Sequence, residues 1–281
     1  CTYMRAAALA RRRVFADYLN LHRRIGKRLA RVRAPRALMH LAAAAGDPYS
    51  LIMRAGNAPS FLRLARRATG AVRFVRVRGM TKTMQALFVP HNRNGSALYA
   101  RGGGGGGGRY RGSYVHAQLC SVVNRRAAPH VLCRETVAVM HEARRRGWLM
   151  LACEYAVPIG GGGDAGAPRM ATAIDMLCYD RRRARLVAVE LKTGYANGAF
   201  TRAVGRLRRP MHAYENSALN LALLQTCLGA HALADFLGVP LDATDTAVIH
   251  ATRDGAVRVY HPPAPLFADA RRAYDVLQMY A

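Results

Sequence analysis

Four consecutive apolar residues, Leu186-Val187-Ala188-Val189, run directly into Glu190-Leu191-Lys192-Thr193-Gly194. A short apolar run of this kind reads as a buried strand, and the charges that follow mark where it leaves the core. Side chains alternate along a strand, so Glu190 and Lys192 share one side and Leu191 takes the other. Upstream, Met170-Ala171-Thr172-Ala173-Ile174 is a second apolar approach that ends in Asp175, and the basic stretch from Asp180 to Arg185 between the two is turn-like. If residues 171–180 form the antiparallel partner, Asp175 stands beside Glu190. Two carboxylates and an ammonium then meet where an apolar sheet opens to solvent. Hard divalent ions such as Mg2+ take oxygen ligands of this type, with water and substrate phosphate completing the shell. Lys192 is placed to hold a phosphate oxygen or a metal-activated water.

The chain has 281 residues, enough for one large core or two smaller ones. Its net charge is +27, and the distribution of that charge says more than the total. Residues 1–130 hold 25 Lys and Arg against two acids, Asp17 and Asp47, a net +23; residues 131–281 hold 18 bases and 14 acids, a net +4. Arginine dominates, and its planar fork suits phosphate. A region this cationic repels itself unless a polyanion is near, so the expected partner is nucleic acid, either RNA or single-stranded DNA. Six cysteines are scattered with no Cys-x-x-Cys pair, which argues against zinc and iron–sulfur sites. No apolar run is long enough to span a membrane, so no membrane partner is expected.

The chain opens Cys1-Thr2-Tyr3-Met4, so residue 1 is not expected to be the translation start. From Met4 to Arg36, Val14, Tyr18, Leu21, Ile25 and Leu29 lie on one face of a basic helix. That character fits a mitochondrial presequence remnant, and with it a matrix location; it fits equally a binding arm packed on RNA or on a protein. Residues 37–70 read as mainly helical. Val72 to Arg78 alternates as a strand with Arg73, Arg76 and Arg78 on a basic face suited to nucleic acid, and Ala86 to Val89 reads as its neighbour. Seven glycines, Gly102 to Gly108, read as a linker. This divides the chain into a basic region, 1–108, and a folded domain, 109–281. The run lacks the Gly-Lys-Ser/Thr ending of a phosphate loop, so no nucleotide cofactor is expected. A second run, Gly160 to Gly163, fits a hairpin loop. The expected order beyond the linker is helices over 113–126 and 134–146, a strand over 148–159, the strands carrying Asp175 and Glu190, a helix over 211–236, strands over 246–251 and 256–260, and a final helix over 265–280.

Asp175, Glu-x-Lys at 190–192 and this order of elements resemble the PD-(D/E)XK nuclease superfamily. The Ile-Asp pair and the Glu-Leu-Lys-Thr-Gly ending are most similar to its RecB-type branch, which includes mitochondrial single-strand exonucleases. The resemblance covers about residues 110–281. It implies an α/β fold with a mixed central sheet flanked by helices, and Mg2+- or Mn2+-dependent phosphodiester hydrolysis. Within it, Gly112-x-x-x-His116 is similar to a segment whose histidine is a metal ligand, with Ser113 suited to cap the helix. The implied metal ligands are then His116, Asp175 and Glu190, with Lys192 completing the catalytic set. A helical glutamate often joins such sites, and the sequence does not choose between Glu135 and Glu142. Glu154 is a weaker candidate from its place in the preceding strand.

The family's Gln-x-x-x-Tyr helix is altered. Asn220 stands for the Gln and Leu224 for the Tyr, with Gln225 as a further amide. That departure puts turnover in doubt. Arg206, Arg208 and Arg209 follow the site and suit a nucleic-acid backbone. The competing class is an RNA-binding structural or assembly component of a mitochondrial ribosome-type particle, with ribosomal RNA and ribosomal proteins as partners and the nuclease fold as a scaffold.

Overall fold

A computed structural model describes residues 20–32, 52–54, 61–66, 72–90, 107–124, 131–160, 168, 170–195 and 198–281. It shows a mixed α/β fold. The described elements run α1 (20–31), β1 (Ile52–Arg54), β2 (Phe61–Arg66), β3 (Val72–Gly79), α2 (Met80–Phe88), α3 (Gly107–Val123) and α4 (Arg134–Arg145). They continue through β4 (Trp148–Ile159), β5 (Met170–Asp180), β6 (Arg185–Thr193), β7 (Ala203–Arg206), β8 (Glu215–Ser217), α5 (Ala218–Leu237), β9 (Thr244–Ala251), β10 (Val257–Tyr260) and α6 (Ala264–Met279).

The central sheet is mixed. β4, β5 and β6 form an antiparallel meander, β6 pairs β9 in parallel, and β9 pairs β10 antiparallel. β3 joins the sheet in parallel through Arg78 and Gly79, which pair Met170 and Ala171 of β5. One edge of β5 is therefore shared. β6 takes it over Met176 to Asp180 and β3 takes it at Met170 and Ala171, so the strands part around Asp175. That parting creates the opening in which the candidate site sits.

Two apolar layers close the sheet. On one face α3 and α4 supply Val115, Leu119, Val123, Val139 and Ala143 against Met176, Cys178, Val187 and Val189. α4 is well made for its place, with Glu135 in its first turn and Arg144 and Arg145 in its last, each complementing the helix dipole. On the other face lies α5, buried almost all round, as its nearly uniform apolar sequence requires. Ser217 caps it by accepting from the Asn220 amide, and Gly238 ends it at φ 62°, a left-handed position that suits glycine.

Leu21, Ile25 and Leu29 of α1 share a buried cluster with Met80, Met84 and Phe88 of α2 and with Leu151, Leu177 and Leu228 beyond the glycine run. The apolar face of α1 thus packs into the chain's own core. Arg28 secures it, donating to the carbonyls of Met150, Leu151 and Val123 at 2.8–2.9 Å, where β4 carries a bulge. Val14 and Tyr18 lie outside the described residues.

Residues 37–70, read as mainly helical, contain strands β1 and β2, because cross-strand pairing outweighs a weak helical pattern without caps. Ala86 to Phe88, read as strand, close the helix α2, since Met80, Met84 and Phe88 repeat at i, i+4 and i+8 and bury one face. α3 begins at Gly107, so Ser113 is inside the helix rather than at its cap, and only Gly102 to Gly106 of the expected linker lie outside the described residues. The helix expected from residue 211 begins at Ala218, preceded by β8.

Glu135 is 1% exposed and paired with Arg111 through both guanidinium donors of the fork, one of them at 2.9 Å. Burial pushes its carboxyl up, but the Arg111 hydrogen bond outweighs this and holds it below the usual range. Arg111→Met is expected to cost about 2–3 kcal/mol, because it strands a buried carboxylate. Adding Glu135→Leu should recover most of that loss in urea unfolding. A double variant no more stable than Arg111→Met would contradict the assignment.

Candidate metal centre

Strand register puts three carboxylates in one row. β4 and β5 pair Cys153 with Met176 and Tyr155 with Ile174, which sets Glu154 opposite Asp175. β5 and β6 pair Met176 with Val189, so the next step along both strands sets Asp175 opposite Glu190. The backbone ladder stops there, and Asp175 continues it with its side chain by accepting from the Leu191 amide through Oδ2 at 2.9 Å. The carboxylate therefore both holds the parted strands and lines the opening.

α3 places His116 over this row. Its Nδ1 lies 3.1 Å from Glu154 Oε1, and its Nε2 lies 3.8 Å from Asp175 Oδ2. His116, Glu154 and Asp175 each offer a ligand atom within 4.8 Å of the others, and all three are half-buried. Gly112, one turn before His116, explains how the helix gets so close: a Cβ there would stand 3.1 Å from Thr193 Oγ1, at the end of β6. The Gly-x-x-x-His spacing thus has a steric reason in this fold.

Glu154 is set by strain. Its φ is 52°, a left-handed conformation for a residue with a side chain, at a cost of about 1–3 kcal/mol. The neighbouring Cys153 is clamped to keep it so. Buried Asn124 donates through Nδ2 to the Cys153 carbonyl at 3.0 Å and accepts its amide through Oδ1 at 2.9 Å. Asn124→Ala removes both bonds from a buried backbone and is expected to cost about 2–4 kcal/mol, which thermal unfolding would measure. Retention of wild-type stability would show that the clamp is dispensable.

Glu190 is buried beside this group. Lys192 Nζ donates to its Oε1 at 2.5 Å, and Gln225 Nε2 of α5 donates to its Oε2 at 2.9 Å. Burial, then repulsion from Asp175, pushes the Glu190 carboxyl up to about 8, against a partial offset from Lys192. Burial pulls the Lys192 ammonium down, but attraction to Glu190 and Asp175 outweighs it and holds its pKa above the usual lysine value. The centre therefore holds three carboxylates for one ammonium in a chain of net +27. A divalent cation would balance that excess, and a nitrogen with carboxylate oxygens suits several such ions.

The expected residues sort clearly. Asp175, Glu190 and Lys192 come together, and His116 sits over Asp175. Glu154 completes a group with His116 and Asp175 that the sequence ranked low, while Glu190 stands next to that group as the partner of Lys192 and Gln225. Glu135 and Glu142 are outside it. The first pairs with Arg111, and the second binds Arg145 and Arg146 at 2.7–2.8 Å, which hold its carboxyl at about 2. Asn220 is also outside, because its side chain donates to the Glu215 carbonyl at the start of α5. The amide that reaches the centre is Gln225, five residues on.

Arg76 and Arg78 are exposed on either side of buried Val77, so β3 carries the expected basic face there; the Arg73 side chain lies outside the described residues. Arg206, Arg208 and Arg209 are exposed beyond the site. Among the described residues no helix is long and apolar enough to cross a membrane. Compared with protein-family profiles and with curated proteins, the chain finds no match in either.

Proposed function

We propose that the protein is a divalent-metal-dependent nuclease of PD-(D/E)XK type that hydrolyses single-stranded nucleic acid. The observation that carries this reading is the convergence of His116, Glu154 and Asp175 beside the Glu190–Lys192 pair. Mg2+ or Mn2+ held by His116 and the carboxylates would bind the scissile phosphate and acidify a water. Asp175 stands at the centre of the row, next to both other carboxylates, and is placed to ligate the ion from either side. Lys192, oriented by Glu190, presents its ammonium to charge developing on the phosphoryl oxygens. Gln225 holds Glu190 from the far side, so the carboxylate cannot rotate away from the lysine. Exposed Arg76, Arg78, Arg206, Arg208 and Arg209 would draw in the polyanion and fix its register rather than its sequence.

The test is degradation of an end-labelled single strand by the full chain, with Mn2+ and with chelator, alongside Mn2+ binding followed by electron paramagnetic resonance. Lys192→Ala is expected to keep Mn2+ while slowing cleavage by about 10²–10³-fold. Absence of both Mn2+ binding and metal-dependent cleavage in the wild type would sink the reading. The second reading, a component of a ribosome-type particle in the mitochondrial matrix, draws on a different observation: the net +23 of residues 1–130. It predicts salt-sensitive co-sedimentation with ribosomal particles whether or not the centre turns over.

A further inference from the structure

A cavity of about 310 Å³ opens at the far end of the sheet, where α4 ends and the β5–β6 turn closes. Arg145, Arg146, Arg182 and Arg183 ring it, over Trp148 and His261. By strand rise, Asp180 at its rim is about 16 Å along β5 from Asp175, too far for one phosphate to occupy both places.

The arginines are held in place. Arg145 and Arg146 bind Glu142 through their forks, Arg146 also lies over Trp148 with 5.4 Å to the ring centroid, and its Nη1 is 3.2 Å from His261 Nε2. Arg182 donates to the Arg145 carbonyl at 3.2 Å, and Arg183 pairs Asp245 at 3.1 Å. The two acids on the rim already have other work. Asp180 accepts the amides of Arg182 and Arg183 and so shapes the turn, while Asp245 takes the Thr246 amide at 2.7 Å besides Arg183. A guanidinium has five N–H donors, and these contacts use one or two on each. Across 144–146, 181–183 and 185 there are seven arginines against Glu142, Asp180 and Asp245, a net +4 that equals the net charge of all of 131–281. Pre-positioned guanidiniums with unused donors suit phosphate above other anions.

We propose that this pocket binds a phosphate group of a nucleic-acid strand, at a site separate from the metal centre. The strand is favoured over free phosphate because the pocket belongs to a chain of net +27 with further exposed arginines on β3 and β7. Binding here needs no metal.

The chain's single tryptophan is the reporter, since Trp148 lies under Arg146 in the pocket wall. The full chain in chelator is titrated with a 5′-phosphorylated single-stranded oligonucleotide, and tryptophan emission is followed. The expected result is a saturable emission change that inorganic phosphate competes away. Arg182→Gln with Arg183→Gln, two exposed turn positions whose loss circular dichroism should show to be harmless to the fold, should weaken that transition about tenfold or more. Three results would overturn the proposal: no emission change although the strand binds, a change that the double variant leaves intact, or a response to inorganic phosphate with none to the strand. Because chelator is present throughout, failure of metal-dependent cleavage with this response intact counts only against the nuclease reading.

Discussion

Asp175→Asn is expected to lower metal-dependent strand cleavage by at least about 10³-fold, since metal ligation supplies several kcal/mol of transition-state stabilisation and each 1.4 kcal/mol is tenfold. The same change should make the metal-free fold more stable. Asparagine keeps an oxygen that can accept the Leu191 amide, the bond that holds β5 to β6 where their ladder stops. It also removes the charge that repels Glu190, the second cause of that carboxyl's rise to about 8. Loss of activity together with a higher melting temperature in chelator is the signature of a site that stores repulsion for a cation. Strand affinity should change little, because the exposed arginines on β3 and β7 are untouched. A variant that still cleaves near the wild-type rate would remove Asp175 from the mechanism. A variant that loses both cleavage and stability would make Asp175 a structural residue.

The part of this centre that was legible in the sequence is the part set by strand alternation. Glu190 and Lys192 are two apart, and Asp175 ends an apolar approach at a distance that a hairpin can close, so their meeting follows from period-two geometry. Glu154 was ranked low for a physical reason. Its register against Asp175 depends on the connection between Ile159 and Met170, and a glycine-rich sequence of that length does not fix register as a two-residue turn does. Its side chain reaches the row through a left-handed backbone, which alternation cannot anticipate. The signal available was Asn124, an amide placed directly after Val122 and Val123, but its target is 29 residues away in the chain. Which amide of α5 faces the centre depends on where the helix starts. Ser217 caps at residue 217, which spends Asn220 on the helix end and turns Gln225 to the sheet.

The first hundred residues carry the weakest local signal. Their charge is unambiguous, but Arg and Ala are compatible with helix everywhere, and only pairing shows that 52–54 and 61–66 are strands. Packing also crosses the glycine run, because α1 and α2 bury Ile25, Leu29, Met80 and Phe88 in the same cluster as Leu151 and Leu228. Sequence separation is no guide to which faces meet when a parallel strand such as β3 pairs with a strand about ninety residues on.

Stability should fall with rising pH because of Glu190, whose carboxyl has an ordinary value of 4.5 and is raised to about 8 in the folded protein by burial with Asp175. Between those values the unfolded chain has lost the proton that the fold retains, so stability falls as pH rises through this window and levels off above it. The slope approaches about 1.4 kcal/mol per pH unit at most. Two buried histidines oppose it. His231 and His250 are pushed below 6.5 by burial, so their contribution is present at higher pH and lost as pH falls below 6.5. The clean interval is therefore pH 6.5 to 8, where Glu190 titrates and they do not. In chelator, the wild-type melting temperature should drop across that interval and the Glu190→Gln protein should stay level. Saturating Mn2+ should abolish or reverse the wild-type drop, because a cation beside Glu190 favours its ionised form and offsets the repulsion. Equal slopes for wild type and Glu190→Gln in chelator would show that Glu190 ionises normally. The centre would then lack the stored charge that calls for a metal.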